Sequence, residues 1–455
     1  MALLEDAAAR GMRYLEMLPE RDTWPADTAL AGLEQFIEPL QDQTLPAEVV
    51  LAMLDDVGSP ATVANAGPRY FGYVVGGALP VTVAASWLAA AWDQNAHHWA
   101  GSPVAARLEE VALGWITQLA GLPAGTGGAF VTGASIANFC ALAAARHALL
   151  ARLGWDVEAR GLYGAPEIQV IVGEEVHSTL LKAVALLGFG RERVVRVPVD
   201  DQGRMRADAV PAIDDPAIVC LQAGNVNTGA CDPLAAIIPR VRAAGAWVHV
   251  DAAFGFWAVA SPRHAPLVDG LALADSWATD AHKWLNVPYD CGLALVRDPA
   301  TLQGAMGIRA AYLPDEDRRE PSRFGPELSR RARGVEVWAA LKHLGKAGLA
   351  AMIERCCDHA RRFAAGLDAA GHRVLNEVVL NQVLVSFGSP ERTQRVIAAV
   401  QAEGTCWCSG TVWQGHTAMR ISVSSWATTA EDVERSLAAI LRIAAAEPWQ
   451  ECKVR

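Results

Sequence analysis

A lysine and an aspartate lie 32 residues apart, each beside an apolar run, and their residue types point to one kind of chemistry. Lys283 belongs to the segment Ser-Trp-Ala-Thr-Asp-Ala-His-Lys-Trp, and Asp251 ends the buried-strand pattern Ala-Trp-Val-His-Val-Asp. A desolvated amine and a carboxylate at a strand end are what an enzyme that uses pyridoxal 5′-phosphate requires. The amine forms a Schiff base with the aldehyde of the cofactor, and the carboxylate keeps the pyridine nitrogen protonated. We therefore take Lys283 and Asp251 as candidate catalytic residues, although each alone also fits a surface lysine or a turn-capping aspartate.

Two further polar residues follow predicted strands. His177 comes after the run at 168–174, and its ring suits stacking on a pyridine ring or donating a proton. The same histidine also fits a helix N-cap that includes Ser178. Thr228 lies in the segment 225–233, most of which a turn explains. We expect both side chains to face the crevice at the carboxyl edge of a sheet.

The segment Val-Thr-Gly-Ala-Ser-Ile-Ala-Asn at 131–138 is a candidate phosphate cradle. It opens a predicted helix that continues to Arg146. Small residues let backbone N–H groups approach a ligand, and a helix N-terminus favours an anion. A plain N-cap explains the same residues, so this segment alone is a weak signal.

Composition and charge exclude several classes of protein. The net charge of −11 disfavours a nucleic-acid surface, and 52% hydrophobic with 20% charged residues suits a well-buried soluble enzyme. No uninterrupted apolar stretch reaches transmembrane length, and the N-terminus lacks the order of a signal peptide, so no membrane partner is expected. The nine cysteines have no zinc spacing. They favour reduced thiols in a cytoplasmic protein without a metal site.

Apolar periodicity predicts three regions along the chain. Residues 1–58 read as a helical N-terminal arm, and residues 59–312 as a large α/β domain in which short apolar strands alternate with helices. Such alternation predicts a mostly parallel sheet with helices on both faces. Residues 313–455 read as a small α+β domain that begins with a long helix at 334–369.

Several motifs together resemble the group II pyridoxal 5′-phosphate-dependent amino-acid decarboxylases, over about residues 60 to 440. The most specific match is Asp-Ala-Ala-Phe at 251–254 combined with His-Lys-Trp at 282–284. Weaker matches are Pro-Arg-Tyr-Phe-Gly-Tyr at 68–73, Trp-Ala-Gly-Ser-Pro at 99–103 with Leu-Glu at 108–109, and Ser-Arg-Arg-Ala-Arg at 329–333.

The resemblance implies a fold and a set of site residues. The fold is the aspartate-aminotransferase-like fold type I, with a mostly parallel seven-stranded sheet. The assembly is a homodimer with shared active sites whose N-terminal arm wraps the partner. The implied cofactor contacts are Ala134, Ser135, His177, Thr228, Asp251, Ala253, His282 and Lys283. The implied substrate contacts are Tyr73, His98 and Arg420.

The chain departs from the family pattern at positions that bear on the reaction. Decarboxylating members carry a protonating tyrosine on a mobile loop. In this chain Tyr312 matches a structural tyrosine before that loop, and no other tyrosine follows up to residue 329, so we expect the protonating tyrosine to be absent. Members with phenylalanine in place of the protonating tyrosine divert to aldehyde formation. Val-Val-Gly-Gly at 74–77 replaces a bulkier pocket lining, His98 stands at an aromatic position, and Ile136 stands where many members have glutamate.

These observations predict decarboxylation of an L-amino acid. Three alternatives remain open on the same fold: an aminotransferase, an aldehyde synthase or a lyase. A protein that binds the cofactor without catalysis is a further alternative, which the combination of Lys283, Asp251 and His177 disfavours.

Overall fold

The computed structural model describes residues 1–213, 216–307 and 318–447. They form two compact units. The large unit is Ala78–Asp358 with Asn376–Gln382, and the small unit is Met1–Gly77, His359–Leu375 and the chain from Val383 onward.

These units divide the chain at other positions than the predicted boundaries at 58 and 312. Residues 59–77 belong to the small unit because Tyr70 forms a β-bridge with Trp407 and the Ser422 amide donates to the Phe71 carbonyl. Residues 318–358 belong to the large unit, where Arg330 pairs with Glu109. Tyr312 lies outside the described residues.

A seven-stranded sheet forms the centre of the large unit. Its strands are β1 Gly127–Val131, β2 Gln169–Gly173, β3 Val195–Val197, β4 Ala217–Gln222, β5 Trp247–Asp251, β6 Ser276–Asp280 and β7 Gly292–Val296. Their order is β1-β7-β6-β5-β4-β2-β3, and only β7 runs antiparallel to its neighbours. Every residue of β4 to β7 is buried, as expected for strands covered on both faces. The mostly parallel seven-stranded sheet predicted for fold type I is confirmed.

Helices of the large unit precede, connect and follow these strands. They are α5 Pro80–Trp92, α6 Pro103–Leu119, α7 Ala134–Arg152, α8 Val157–Arg160, α9 Ser178–Leu186, α10 Leu234–Ala243 and α11 Pro299–Met306. The side chain of Ser102 caps α6, and Pro103 occupies its first turn, where a missing N–H costs nothing. The long helix α12, Gly334–Ala369, contains the residue boundary between the units and is interrupted at Gly345, whose φ is 57°.

Within the described residues, one helix, α7, is long and apolar enough to cross a membrane by length and composition. Its sequence is not an uninterrupted apolar stretch, because Asn138, Arg146 and His147 lie within it and its alanines raise the average hydropathy. Within the apolar window, 61% of the residues are buried, which is typical of the core helix of a folded domain. Helix α7 ends at Arg152 rather than at the predicted Arg146.

The small unit combines N-terminal helices with a four-stranded sheet. Its helices are α1 Ala2–Met17, α2 Asp27–Gly32, α3 Ala47–Met53, α4 Ser59–Ala61, α13 Pro390–Glu403 and α14 Ala430–Ala446. Its strands are β8 Arg373–Val374, β9 Gln382–Ser386, β10 Ser409–Trp413 and β11 His416–Ser422, in the order β10-β11-β9-β8. A capping box between Thr429 and Asp432 fixes the start of α14.

Candidate active site

The carboxylate of Asp251 lies at the carboxyl end of β5, where it is 5% exposed. Its Oδ2 accepts a hydrogen bond of 3.0 Å from Asn138 Nδ2, and its Oδ1 accepts one of 3.2 Å from the Ala253 amide. Burial raises the pKa of Asp251, while the charge of His177, the Asn138 hydrogen bond and the charge of Lys283 lower it. The aspartate is therefore a buried acid whose anion needs nearby donors and cations.

Lys283 follows the neighbouring strand β6 and is held by a second carboxylate. Its Nζ lies 3.0 Å from Oδ2 of Asp280, the last residue of β6. The other oxygen of Asp280 accepts the Ala134 amide at 2.6 Å. Asp280 therefore connects the candidate catalytic amine to the N-terminus of α7.

His282 packs against the same group. Its Nδ1 accepts the Cys291 amide at 3.1 Å, and its Nε2 lies 3.7 Å from Oδ1 of Asp280. Burial lowers the pKa of His282 more than the neighbouring Asp280 raises it. Because Nδ1 accepts a hydrogen bond, the neutral ring carries its proton on Nε2, which makes that nitrogen a donor.

A narrow turn connects β1 to α7 beside these residues. A Cβ atom on Gly133 would lie 3.3 Å from His282 Cε1 and 3.4 Å from Asp280 Oδ1. A Cβ atom on Gly292 would lie 2.5 Å from the Gly133 Cα atom. The turn brings the α7 N-terminus close to the end of β6. Larger residues at Gly133 and Gly292 would not fit without movement of their neighbours. Ser135 is the second residue of α7, a position from which a hydroxyl can donate to an anion at the helix N-terminus.

His177 is the N-cap of α9. Its own ring caps the helix, whereas the sequence suggested a cap that includes Ser178. Its Nδ1 lies 2.7 Å from Thr179 Oγ1 and accepts the Thr179 amide at 3.3 Å. Among the influences that lower the pKa of the Asp251 carboxyl, the charge of His177 has the largest effect.

Thr228 is completely buried and its hydroxyl is already engaged. Its Oγ1 donates to the Gln202 carbonyl at 2.8 Å and accepts the Ala230 amide at 3.1 Å. The Thr228 carbonyl accepts a hydrogen bond from Asn376 at 3.1 Å. These contacts give Thr228 a place in the turn after β4, and its proposed contact with the cofactor remains a prediction.

The predicted substrate residues are distributed over both units. His98 belongs to the large unit, where its Nδ1 lies 3.3 Å from Glu320 Oε2 and its buried Nε2 has no partner among the described residues. Tyr73 and Arg420 belong to the small unit. Tyr73 is exposed with a φ of 56°, and its ring stacks on Trp407. Burial lowers the pKa of Arg420, and within the described residues its Nε has no partner.

The residues of the large unit fit pyridoxal 5′-phosphate. Asp251 offers a buried carboxylate for a cationic ring nitrogen, and Lys283 offers an amine whose side chain is 21% exposed. The turn at Gly133 with Ser135 offers a cradle for a phosphate. His282 adds an Nε2 donor beside that turn. Groups of three or more potential metal ligands are absent from the described parts of the chain.

Three residues of this site were not singled out from the sequence: Asp280, Asn138 and His249. Asp280 stands three positions before Lys283, at the end of an apolar run, which is the signal that identified Asp251. Asn138 lies inside the predicted cradle segment and His249 inside the predicted strand. Their roles depend on pairing between distant elements, which the sequence does not display.

Comparisons with known proteins show which family the chain is similar to. The model of the pyridoxal-dependent decarboxylase conserved domain matches residues 37–388. An L-2,4-diaminobutyrate decarboxylase of Rhizobium meliloti (strain 1021) is 29% identical, over 91% of this chain and 86% of its own length. An aromatic-L-amino-acid decarboxylase of Bacillus atrophaeus is 27% identical, over 79% of this chain and 74% of its own.

The fold is shared with solved structures. Oryza sativa TDC, solved with PLP and tryptamine, superposes with a TM-score of 0.89 over 98% of this chain and 97% of its own, at 23% identity. The domain match covers most of the chain and includes Asp251 and Lys283. The chain therefore belongs to the pyridoxal-dependent decarboxylase family, whose reaction is the pyridoxal 5′-phosphate-dependent decarboxylation of an amino acid.

Proposed function

We propose that this chain removes the α-carboxylate of an L-amino acid as carbon dioxide, with Lys283 as the cofactor lysine and Asp251 as the partner of the pyridine nitrogen. The observation that carries the assignment is the position of both residues at one edge of the sheet. Asp251 ends β5, Lys283 follows the adjacent parallel strand β6, and the charge of Lys283 acts on the Asp251 carboxyl. Ligands of open α/β sheets bind at this carboxyl edge.

The cofactor, when bound, supplies an aldehyde for the lysine and a protonated ring that accepts electrons from the α-carbon. Asp251 supplies the negative charge that keeps the ring nitrogen protonated. Hydrogen bonds from Asn138 and from the Ala253 amide hold its carboxylate in place. Asp280 holds the amine of Lys283 beside the α7 N-terminus. The ring of His177 acts on Asp251 and supplies a flat surface and a proton-carrying nitrogen.

The reaction consumes one proton, because the released amine carries a hydrogen where the carboxylate was. His177 or Lys283 is proposed as the proton donor. Tyr73, His98 and Arg420 remain predicted substrate contacts. The curated relatives act, by their names, on aromatic amino acids and on 2,4-diaminobutyrate, so the side chain of the substrate has to be found by experiment.

The test compares the wild-type protein with Lys283→Ala. The wild type is expected to show the visible absorbance of a lysine-bound cofactor and to release carbon dioxide and an amine in equal amounts from at least one of twenty L-amino acids. Lys283→Ala is expected to lose both properties. Lys182→Ala removes an exposed lysine from α9 and serves as the matched control.

Three results would contradict the proposal. Full activity of Lys283→Ala would remove the lysine from the mechanism. An aldehyde formed with consumption of oxygen would indicate an aldehyde synthase. Retention of the cofactor without turnover of any amino acid would indicate a binding protein.

The assembly and location are proposed on weaker grounds. We expect a homodimer with shared active sites, because α1 and α5 expose large apolar side chains that a second copy would cover. These side chains are Leu4, Met12, Leu15, Trp87, Leu88 and Trp92. Sedimentation of the wild type and of a Trp87→Asp/Leu88→Asp variant tests this: the wild type should sediment as a dimer and the variant as a monomer. The net charge and the cysteine thiols, which form no disulfide within the described residues, favour a cytoplasmic protein without nucleic-acid or membrane partners.

A further inference from the structure

A continuous chain of hydrogen bonds runs through the interior of the large unit and ends on Asp251. Trp247 Nε1 lies 2.9 Å from Ser276 Oγ, which lies 2.9 Å from His249 Nδ1. His249 Nε2 lies 2.8 Å from Asn138 Oδ1, and Asn138 Nδ2 lies 3.0 Å from Asp251 Oδ2. All five residues are buried.

The donor and acceptor properties of these groups allow only one direction of donation along the series of hydrogen bonds. The Asp251 carboxylate only accepts, so the Asn138 amide nitrogen donates to it and the Asn138 oxygen faces His249. The His249 Nε2 must therefore carry the proton, which leaves Nδ1 as an acceptor for the Ser276 hydroxyl. The Trp247 indole only donates and completes the series on the Ser276 oxygen. Every donor thus points toward the carboxylate.

We propose that Ser276, His249 and Asn138 are positioning residues that form a directional relay, which keeps the Asp251 carboxylate ionised and aimed at the ring nitrogen of the cofactor. The proposal rests on the proposed function of Asp251 and extends it to three residues that do not contact the cofactor.

The relay has a physical reason in the cost of burial. A buried carboxylate loses its hydration and is favoured in the neutral form unless hydrogen bonds compensate. Aligned hydrogen bonds in a low dielectric polarise one another, so the Asn138 donor is stronger with His249 behind it. Burial also lowers the pKa of His249 to about 3, which keeps the ring neutral. A protonated His249 ring would donate from both nitrogens, so its Nδ1 could no longer accept the hydrogen bond from the Ser276 hydroxyl.

The register of the sheet fixes the relay. His249 on β5 is paired with Ser276 on β6, and the side chain of Asn138 on α7 bridges His249 and Asp251. The titratable groups that act on Asp251, in addition to the relay, are His177, Lys283, Asp280 and the thiol of Cys220. The variants below leave all four unchanged.

The experiment measures two properties of the purified proteins: the dissociation constant for pyridoxal 5′-phosphate added to the cofactor-free protein, and the pH midpoint of the visible spectrum of the bound cofactor. Asn138→Leu and His249→Leu are expected to weaken cofactor binding about ten- to a hundredfold, the range for a lost hydrogen bond to a charged group. They are also expected to shift the pH midpoint of the visible spectrum, because a carboxylate that loses its donors is more easily neutralised and then no longer keeps the ring nitrogen charged. His249→Gln keeps a donor toward Asn138 and should recover part of both losses.

A double-mutant cycle separates the relay from a general structural role. In an Asp251→Asn background, Asn138→Leu should have little further effect on the dissociation constant, because the relay acts through the Asp251 charge. The matched control is His264→Leu, which breaks another buried histidine–serine pair, where Ser261 Oγ lies 3.0 Å from His264 Nδ1. This control should lower the thermal midpoint and leave the dissociation constant and the spectral midpoint unchanged.

The outcomes are separable from those of the proposed function. If the wild type binds the cofactor while Asn138→Leu and His249→Leu bind it equally well with the same spectrum, the relay is wrong and the function of Asp251 stands. Additive losses in the cycle would also overturn the relay. If the wild type binds no cofactor, the proposed function itself is wrong. Ser276→Ala, the smallest change, provides the same comparison if His249→Leu does not fold.

Discussion

Asp280 contacts both the amine of Lys283 and the backbone of Ala134. Its Oδ2 lies 3.0 Å from Lys283 Nζ, and its Oδ1 lies 2.6 Å from the Ala134 nitrogen. One buried carboxylate therefore sets the position of the candidate catalytic lysine relative to the start of α7. The phosphate cradle and the lysine are thus connected by Asp280, which lies three positions before Lys283 in the lysine segment.

We predict that Asp280→Ala destabilises the cofactor-free protein by about 2 to 4 kcal/mol, because it leaves the Ala134 amide and a partly buried ammonium unpaired. Asp280→Asn keeps an oxygen for the amide and should cost less. Urea unfolding of both variants measures the difference. Equal stability of Asp280→Ala and the wild type would show that neither contact contributes.

Gly292 should tolerate no side chain. The Cβ atom of an alanine would lie 2.5 Å from the Gly133 Cα atom, so β7 and the turn before α7 would have to separate. We predict that Gly292→Ala lowers the free energy of unfolding by more than about 2 kcal/mol and weakens cofactor binding. The matched control is Gly114→Ala in α6, where a Cβ meets nothing within 4 Å. It should stabilise the protein by up to about 1 kcal/mol. Urea unfolding and cofactor titration test both variants, and equal effects would contradict the steric argument.

The sequence predicted the central elements of the fold better than its edges. The strand pattern predicted to end on Asp251 corresponds to β5, because its tryptophan and valines favour a buried strand. Strand β1 was not predicted, since it begins Gly-Gly-Ala and pairs with β7 alone. Strand β10 was also missed, because its sequence Ser-Gly-Thr-Val-Trp resembles a loop and two of its five residues are exposed. These two edge strands carry too little apolar pattern to be recognised.

The sequence predicted those site residues whose type is needed for the chemistry of the cofactor. Lys283 and Asp251 were identified from their residue types and from their positions beside apolar runs. The contribution of His249 depends on the register that places it opposite Ser276, and that of Asn138 depends on the rotation of α7 over the sheet. Neither register nor rotation is encoded in a local pattern, so these residues read as ordinary strand and helix positions.

His249 gives the protein a pH-dependent stability with a definite sign. Its pKa falls from an ordinary value near 6.5 to about 3 in the folded protein, because the ring is completely buried. Between these values the unfolded chain binds a proton that the folded chain does not, so this stabilisation is lost as pH falls and is fully present above about 6.5.

We therefore predict that the stability difference between the wild type and His249→Leu increases with pH from about 3 to 6.5 and is constant above. Urea unfolding of both proteins across this range measures the difference. A difference that does not change with pH would show that the folded ring titrates normally.

Glu109 should be the strongest single anchor of the chain that follows residue 318. Its carboxylate is 1% exposed, and its two oxygens each lie 2.8 Å from a guanidinium, one of Arg319 and one of Arg330. Arg330 also donates to the carbonyls of Ala96 and Phe130. We predict that Glu109→Ala costs about 3 to 5 kcal/mol in urea unfolding, because it leaves the buried Arg330 without its counter-charge.

The neighbouring Glu110 offers a matched control, since it pairs with Arg107 at 2.8 Å on the exposed face of the same helix. Glu110→Ala should change stability by less than about 1 kcal/mol, because water screens the pair. If the two variants lost equal stability, burial would not be the reason that the Glu109 pairs matter. If Glu109→Ala alone were destabilised, the ion pairs with Arg319 and Arg330 would explain the glutamate of the Leu-Glu motif at 108–109.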